Sequence, residues 1–271
     1  VTEPRPNDGP AYQDRARALS FGEDAEAYDR ARPGYPPAVY DAIFALAGPR
    51  PSVVELGAGT GKATVDLARR GARIVAIEPS PEMARVLRRN TAPYPDVRVV
   101  ESDFENWDDT DARADLVVSA QAWHWIDPAV ALPKVRRLLR PGGALAFWWN
   151  RPRTIAGDLW DGITAAYQHC APELAPLTAP NAAWATTTAT IHRIRASSLF
   201  TDPELRIYEW QNRQTAQQYA DWARSLSAHR SLAPEALERL MAELVSVIDR
   251  AGGELNAGYQ TDLVIARPAE G

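Results

Sequence analysis

Glycine alternates with other residues in Glu55-Leu56-Gly57-Ala58-Gly59-Thr60-Gly61-Lys62. Glycines at that spacing let a backbone turn sharply and approach a ligand with no Cβ in the way. An apolar run, Ser52 to Leu56, precedes the loop, and a helical pattern follows it. A helix start offers N–H groups and a partial positive charge, suited to a carboxylate or a phosphate. The chemistry expected is therefore the binding of a nucleotide-like ligand at the carboxyl end of a first strand. Two common loop patterns are excluded. The dinucleotide fingerprint and the G-x-x-x-x-G-K phosphate loop both require glycine at position 62, where Lys62 stands. What remains is an acid, Glu55, one spacer, and then G-x-G-x-G.

Further polar groups follow at informative places. Glu78 ends a second apolar run, 78 − 57 = 21 residues past the first loop glycine, where a ribose-binding carboxylate is expected in folds of this kind. Pro79 follows it directly. Asp103 and Phe104 sit after a third run. A fourth leads into Ser119-Ala120-Gln121-Ala122-Trp123-His124-Trp125-Ile126-Asp127. His124 titrates near neutrality when unperturbed, so it is either a proton acceptor or a positional residue between two indoles. Trp123 and Trp125, two apart, share a side if the segment is extended. Their rings can line a pocket and attract a cation, or belong to the core. Asn150, after Trp148-Trp149, either orients a substrate or serves a turn before Arg151-Pro152. His169, His192 and His229 lack metal-ligand spacing and read as structural or surface residues. No hydrolase nucleophile elbow occurs, and no metal site is expected.

These residues need a scaffold, and the chain alternates strand and helix signals. Strands are predicted at 52–56, 73–77, 97–100, 114–119 and 144–149. Helices are predicted at 62–70, 82–90 and 128–139, with a Pro141-Gly142-Gly143 turn before the fifth strand. That rhythm indicates an α/β chain with a mostly parallel sheet and helices on both faces. Beyond Asn150 it breaks. Residues 151 to about 204, rich in Ala, Thr and Pro, read as an inserted helical cap. A strand at 205–211, helices at 216–226 and 234–250, and a strand at 259–266 then complete a seven-stranded sheet. The expected organisation is a tail and lid (1–36), a Rossmann-like core (37–150), the cap (151–204) and completion of the core (205–271). Residues 1 to about 18 are expected to be poorly ordered.

Composition narrows the function classes. The 271 residues are 45% hydrophobic and 24% charged, as in ordinary globular proteins. A net charge of −5 argues against a broad phosphate-gripping surface, so no nucleic-acid partner is expected. No run of about 18 apolar residues marks a membrane span, and Val1 to Pro10 lacks the apolar core of a signal peptide. One cysteine, Cys170, rules out an internal disulfide and fits a cytoplasmic setting.

The acid and the G-x-G-x-G loop resemble the first motif of class I S-adenosylmethionine-dependent methyltransferases. The 119–127 segment resembles the small-molecule branch that includes trans-aconitate methyltransferase-like proteins. So does the stretch from Phe21 to Pro36, which holds Tyr28, Arg32 and Tyr35. The resemblance spans roughly residues 20 to 150 and the closing strands. It implies a Rossmann-like fold with S-adenosylmethionine as cofactor and S-adenosylhomocysteine as product. It further implies that Glu55, Gly57, Ala58, Gly59, Gly61, Glu78 and Pro79 hold the nucleoside side. Asp103 and Phe104 would hold adenine, and Gln121 and Ala122 the methionine portion. Tyr28 and Arg32 would close a lid, with Arg32 on the methionine carboxylate. His124, Trp125 and Asn150 would face the acceptor. The expected activity is methyl transfer to a small molecule, a carboxylate or hydroxyl favoured. Two alternatives stay open: attack on the aminocarboxypropyl chain, releasing methylthioadenosine, and cofactor binding without chemistry. Acceptor identity and oligomeric state, monomer or homodimer, are left undecided.

Overall fold

The structure, a computed structural model, describes Tyr12, Gly22 and residues 24–108, 113–153, 157–178 and 184–270. The order expected to be poor over residues 1 to about 18 concerns a stretch that lies, apart from Tyr12, outside the described residues.

Five parallel strands form the centre: β1 (Ser52–Leu56), β2 (Arg73–Glu78), β3 (Val97–Glu101), β4 (Ala114–Ala120) and β5 (Leu139–Arg153). An antiparallel hairpin of β6 (Glu204–Thr215) and β7 (Glu254–Ala266) completes the sheet in the order β3-β2-β1-β4-β5-β7-β6. The order reverses at β1 and β4, which opens a crevice at their carboxyl ends. β1 and β4 read as continuous apolar runs because both faces of the sheet are covered.

Side-chain alternation along β5 divides the core. Phe147 and Trp149 point to the face covered by α5 (Pro128–Leu138) and α7 (Trp184–Ser197). Trp148 points to the opposite face, covered by α2 (Pro37–Ala47) and α3 (Lys62–Arg69). α1 (Ala25–Ala31) seats Ala25 and Tyr28 on Met83 and Val86 of α4 (Pro81–Thr91). Ser80 caps α4 at its start, with its hydroxyl accepting from the Met83 N–H and Pro81 in the first turn.

A third cluster joins α6 (Asp158–Cys170), α8 (Ala216–Arg224) and α10 (Pro234–Arg250); the short helix α9 (Ser227–Arg230) lies between α8 and α10. The expected boundary at 204 therefore cuts across the packing. α6 joins helices from beyond it, whereas α7 buries Ile194 against the sheet. The fifth, sixth and seventh strands also run longer than their apolar runs. Hydrogen-bonded register, not hydrophobic alternation, carries them through Pro152–Tyr259 and Thr215–Glu254.

A buried ion pair lies within this long ladder. Arg151 on β5 bonds Asp262 on β7, and the Asp262 carboxylate also accepts from Thr187 Oγ1 at 2.9 Å and Gln260 Nε2 at 2.7 Å. Both ionic side chains are nearly inaccessible. Breaking such a pair from one side strands a charge in low dielectric, costing about 3–5 kcal/mol, whereas an apolar replacement of both is often near neutral. Asp262→Ala is expected to lower unfolding stability by about that amount in denaturant titration. Arg151→Met combined with Asp262→Leu is expected to recover most of it. Equal losses in both variants would show that shape rather than charge dominates the site.

Candidate functional site

The glycine loop connects β1 to α3 with Gly57, Gly59 and Gly61 at φ of 67°, 59° and 94°. Their reasons differ. A Cβ on Gly57 would lie 2.5 Å from the Ala122 Cβ, so this glycine lets the loop beyond β4 approach. A Cβ on Gly61 would lie 2.7 Å from a Leu87 methyl, so this one seats α3 against α4. Around Gly59 the space within 4 Å is open. Gly59 is thus the glycine whose missing side chain leaves room for a ligand.

Glu78 locks this loop to β2. Its carboxylate accepts from the Gly59 N–H at 2.8 Å and from the Ser80 N–H at 3.0 Å, one on each oxygen. Each oxygen keeps a further lone-pair direction. Burial pushes the acid up to about 7, the two backbone donors pull it down, and Asp103 pushes it up a little further. Glu55 has a different part. It accepts from Thr64 Oγ1 at 2.7 Å and ties β1 to α3. Burial raises it to about 8, the Thr64 hydroxyl opposes this, and the Glu78 charge adds to it. Asp103 accepts from Asn106 Nδ2 at 3.1 Å, while its carbonyl receives the Trp107 N–H at 2.8 Å. The Phe104 ring packs beside Trp107, and the Lys134 ammonium sits over both rings.

The opposite wall comes from the loop after β4. Gln121 has φ 58°, and its side-chain Nε2 donates to the Asn150 carbonyl at 3.3 Å. Residues Trp123–Trp125 form a single 3-10 turn rather than an extended strand, so the two indoles diverge. Trp123 stacks on Phe147 in the core, and Trp125 lines the cavity beside His124. The Trp149 indole N–H donates to His124 Nδ1 at 3.3 Å. An indole can only donate, so the neutral imidazole carries its proton on Nε2.

Asn150 neither ends its strand nor serves a turn. β5 continues to Arg153 because β7 pairs with it. The Asn150 amide donates to the Gly34 carbonyl at 2.8 Å and accepts from Thr261 Oγ1 at 2.6 Å. It braces the N-terminal segment against β5 and β7 while lining the cavity.

The N-terminal segment and the helical layer form the remaining wall. Arg32 lies 5.0 Å over the Tyr28 ring and donates from Nη2 to the Ser225 carbonyl at 2.9 Å. Tyr35 meets Trp148 edge-on. His229, read from the sequence as structural or surface, lies inside the molecule. It is buried, with 2% of its surface exposed, and its Nε2 lies 2.7 Å from the Tyr167 hydroxyl. Burial, then the nearby Arg32 charge, lowers it to about 4. Nothing in the spacing around His229 signals this, because α6 and α9 meet there only in the folded chain.

One cavity of about 480 Å3 joins these walls, within the range of small-molecule sites. Of the residues singled out from sequence, Tyr28, Arg32, Glu55, Gly57, Ala58, Gly59, Glu78, Pro79, Asp103, Phe104, Gln121, Ala122, His124, Trp125 and Asn150 all line it. Gly61 does not, since its place is the α3–α4 contact. Tyr167, Tyr219, Trp222, His229 and Tyr259 line it as well, unannounced by any motif. Among the described residues, no helix is long and apolar enough to cross a membrane.

Residues 54–147, from β1 into β5, match the family described as a methyltransferase domain. Over 136 residues the chain is 47% identical to an uncharacterized methyltransferase of Mycobacterium tuberculosis, a match covering 50% of this chain and 54% of that one. Over 140 residues it is 35% identical to trans-aconitate 2-methyltransferase of Azoarcus sp., covering 49% of this chain and 53% of that one. The chain spans about half the length of these curated relatives. A solved structure of a candidate type II methyltransferase from Anaeromyxobacter dehalogenans covers 88% of this chain and 97% of its own, with TM-score 0.60 and 21% identity. The chain shares the fold of that solved structure, and the methyltransferase-domain match is confined to residues 54–147.

The buried acids give stability a pH dependence whose sign can be worked out. Glu55 is raised from an ordinary 4.5 to about 8 in the folded chain, so the folded state holds its proton more tightly than the unfolded one. Its contribution is therefore most favourable below about 4.5 and is lost as pH rises toward about 8. Glu55→Gln mimics the protonated acid and keeps an acceptor for Thr64. The variant is expected to melt several degrees above wild type at pH 9 and near it at pH 5. A constant offset across pH would overturn the assignment.

Proposed function

We propose that the chain binds S-adenosylmethionine in this cavity and transfers its methyl group to a small-molecule acceptor in a cytoplasmic setting. The observation that carries the reading is the Glu78 carboxylate, held by the Gly59 and Ser80 N–H groups at the rim of the open glycine loop. A carboxylate fixed there has lone pairs left for a pair of vicinal hydroxyls, as a ribose presents, and Gly59 leaves room for the sugar. Asp103 and the backbone at Phe104 stand one strand further along, suited to an adenine amine and ring nitrogen. Gln121, Ala122 and Pro79 complete the cofactor wall, and Tyr28 closes it from the lid. The match of residues 54–147 to a methyltransferase domain supports the same reading.

When bound, the cofactor supplies a methyl group already activated by a positive sulfur. The chain's own task is then placement. It must hold an electron-rich atom in line with that methyl at about 3–3.5 Å and keep water out, which contributes roughly 7–11 kcal/mol. The aromatic walls of Trp125, Trp222 and Tyr259 exclude water and favour a cationic centre. His124 acts through position. Its Nδ1 lone pair is engaged by Trp149, so a base role would require breaking that contact. The name of the Azoarcus relative, a trans-aconitate methyltransferase, favours a compact acceptor, as does a cavity of this size.

The direct test is mass spectrometry of the cofactor by-product, with and without a panel of carboxylates, phenols and amines. S-adenosylhomocysteine formed only with an acceptor is the expected result. Methylthioadenosine would assign the reaction to the aminocarboxypropyl chain, and neither product would leave a binding protein. Glu78→Ala is expected to weaken S-adenosylmethionine binding at least about tenfold by calorimetry, as the loss of charge-assisted bonds predicts. In the wild type, hydroxyl donors favour the ionised Glu78. Affinity is therefore expected to rise roughly tenfold between pH 6 and 8, through an acid near 7. A flat profile would remove Glu78 from the ribose.

A further inference from the structure

Three buried polar atoms in the helical wall of the cavity make no hydrogen bond among the described residues: Arg32 Nε, His229 Nδ1 and the Tyr259 hydroxyl. They come from the end of α1, from α9 and from β7, so chain proximity does not explain their meeting. His229 and Tyr259 are each only 2% exposed, and all three residues line the cavity. Buried polar groups in folded proteins are ordinarily paired, and unpaired ones are costly. Three in one wall of one cavity indicate a partner that belongs to a ligand.

The sign of that partner follows from the donors. The Tyr167 hydroxyl has His229 Nε2 as its hydrogen-bond partner. If His229 donated to it, both the phenolic hydrogen and the Nδ1 lone pair would be unsatisfied. If Tyr167 donates, only the Nδ1 hydrogen is, so the neutral ring presents Nδ1–H. Arg32 Nε–H is a second donor and always charged. Among the described residues its guanidinium bonds a backbone carbonyl, Ser225, and no carboxylate. Its charge is felt at both His229 and Tyr259. The Tyr259 hydroxyl can donate as a third. Two neutral donors lining the same cavity as a cation that meets no carboxylate among the described residues suit an oxyanion.

We infer that Arg32, His229 and Tyr259 form a carboxylate cradle that anchors the acceptor by an anionic group distinct from the atom that reacts. This rests on the methyl-transfer reading for the word acceptor, and it moves Arg32 from the methionine carboxylate expected from sequence to the substrate. A carboxylate whose lone pairs take three hydrogen bonds is a poor nucleophile, so the cradle holds and a second atom of the acceptor attacks. The rings of Trp222 and Tyr167 beside it, at 6.3 Å from Tyr259 and 5.5 Å from His229, suit a flat or apolar body next to the anion.

The test uses benzoate, with benzamide as its neutral isostere, titrated by calorimetry into the whole chain with and without S-adenosylhomocysteine. Benzoate is expected to bind at least about tenfold more tightly than benzamide, the size of one charge-assisted contact. Tyr259→Phe removes a single oxygen and His229→Phe the Nδ1 donor. Each is expected to weaken benzoate about five- to tenfold while S-adenosylhomocysteine affinity stays within about twofold. Arg32→Gln is expected to abolish the preference for benzoate over benzamide. Equal affinity for the two probes, no benzoate binding, or natively melting Tyr259→Phe and His229→Phe variants that bind benzoate like wild type would overturn the cradle. Loss of S-adenosylhomocysteine binding in Arg32→Gln with benzoate binding intact would return Arg32 to the cofactor and overturn it too. A chain that never binds S-adenosylhomocysteine would sink the methyl-transfer reading instead, while benzoate binding to the cofactor-free chain would still decide the cradle.

Discussion

The site depends on one carboxylate accepting two backbone N–H groups from two different loops. Glu78 ends β2, Gly59 belongs to the turn after β1, and Ser80 starts α4. Parallel strands end their hydrogen-bond ladders abruptly, and the backbone groups beyond them need partners. Glu78 supplies one acceptor to each side. The carboxylate thereby fixes the height of the glycine loop over the sheet and keeps its own place, although burial opposes its charge. The same two bonds that steady the loop hold the acid at its rim.

A second constraint works from the other end of the sheet. β5 is central and wide in its chemistry. Phe147 and Trp149 serve one face, Trp148 serves the other, and Asn150 reaches both Gly34 and Thr261. The hydrogen bond from Asn150 to Gly34 sets the path of the segment between α1 and α2, which carries Arg32 and Tyr35. The Trp149 indole orients His124 across the same strand. One strand thus aligns the lid, the loop after β4 and the hairpin, and the cavity is the space they leave. The longer hairpin lets α6, α8, α9 and α10 pack as a layer of their own, whose inner side supplies Tyr167, Trp222 and His229.

The two ends of the cavity differ in charge. Glu55, Glu78 and Asp103 lie at the sheet end, while Arg32 lies toward the helical layer beside neutral donors. A ligand with hydroxyl and amine donors suits the first end and an oxyanion the second. The separation follows from which elements carry each group. The acids come from strand ends, where Glu78 is held by backbone N–H groups, Glu55 by the Thr64 hydroxyl and Asp103 by the Asn106 amide. The arginine comes from the end of α1, where its guanidinium lies over the Tyr28 ring and donates to the carbonyl of Ser225.

Much of this was legible in the sequence because it is local. The glycine loop, the acids at strand ends and the alternating β and α signals each depend on a few neighbouring residues, and backbone geometry converts their spacing directly into place. Gly59 and Glu78 are the clearest cases, since a left-handed turn after an apolar run and an acid one strand later leave little freedom. The long reach of β5 and β7, the brace at Asn150 and the divergence of Trp123 from Trp125 were not legible. Each depends on pairing or packing between segments distant in the chain. The cradle residues show the limit most sharply. Arg32, His229 and Tyr259 carry no shared spacing, and His229 reads as an isolated histidine. Only the tertiary structure brings them to one wall, because a buried polar group acquires its role from what surrounds it in space and not from what precedes it in sequence.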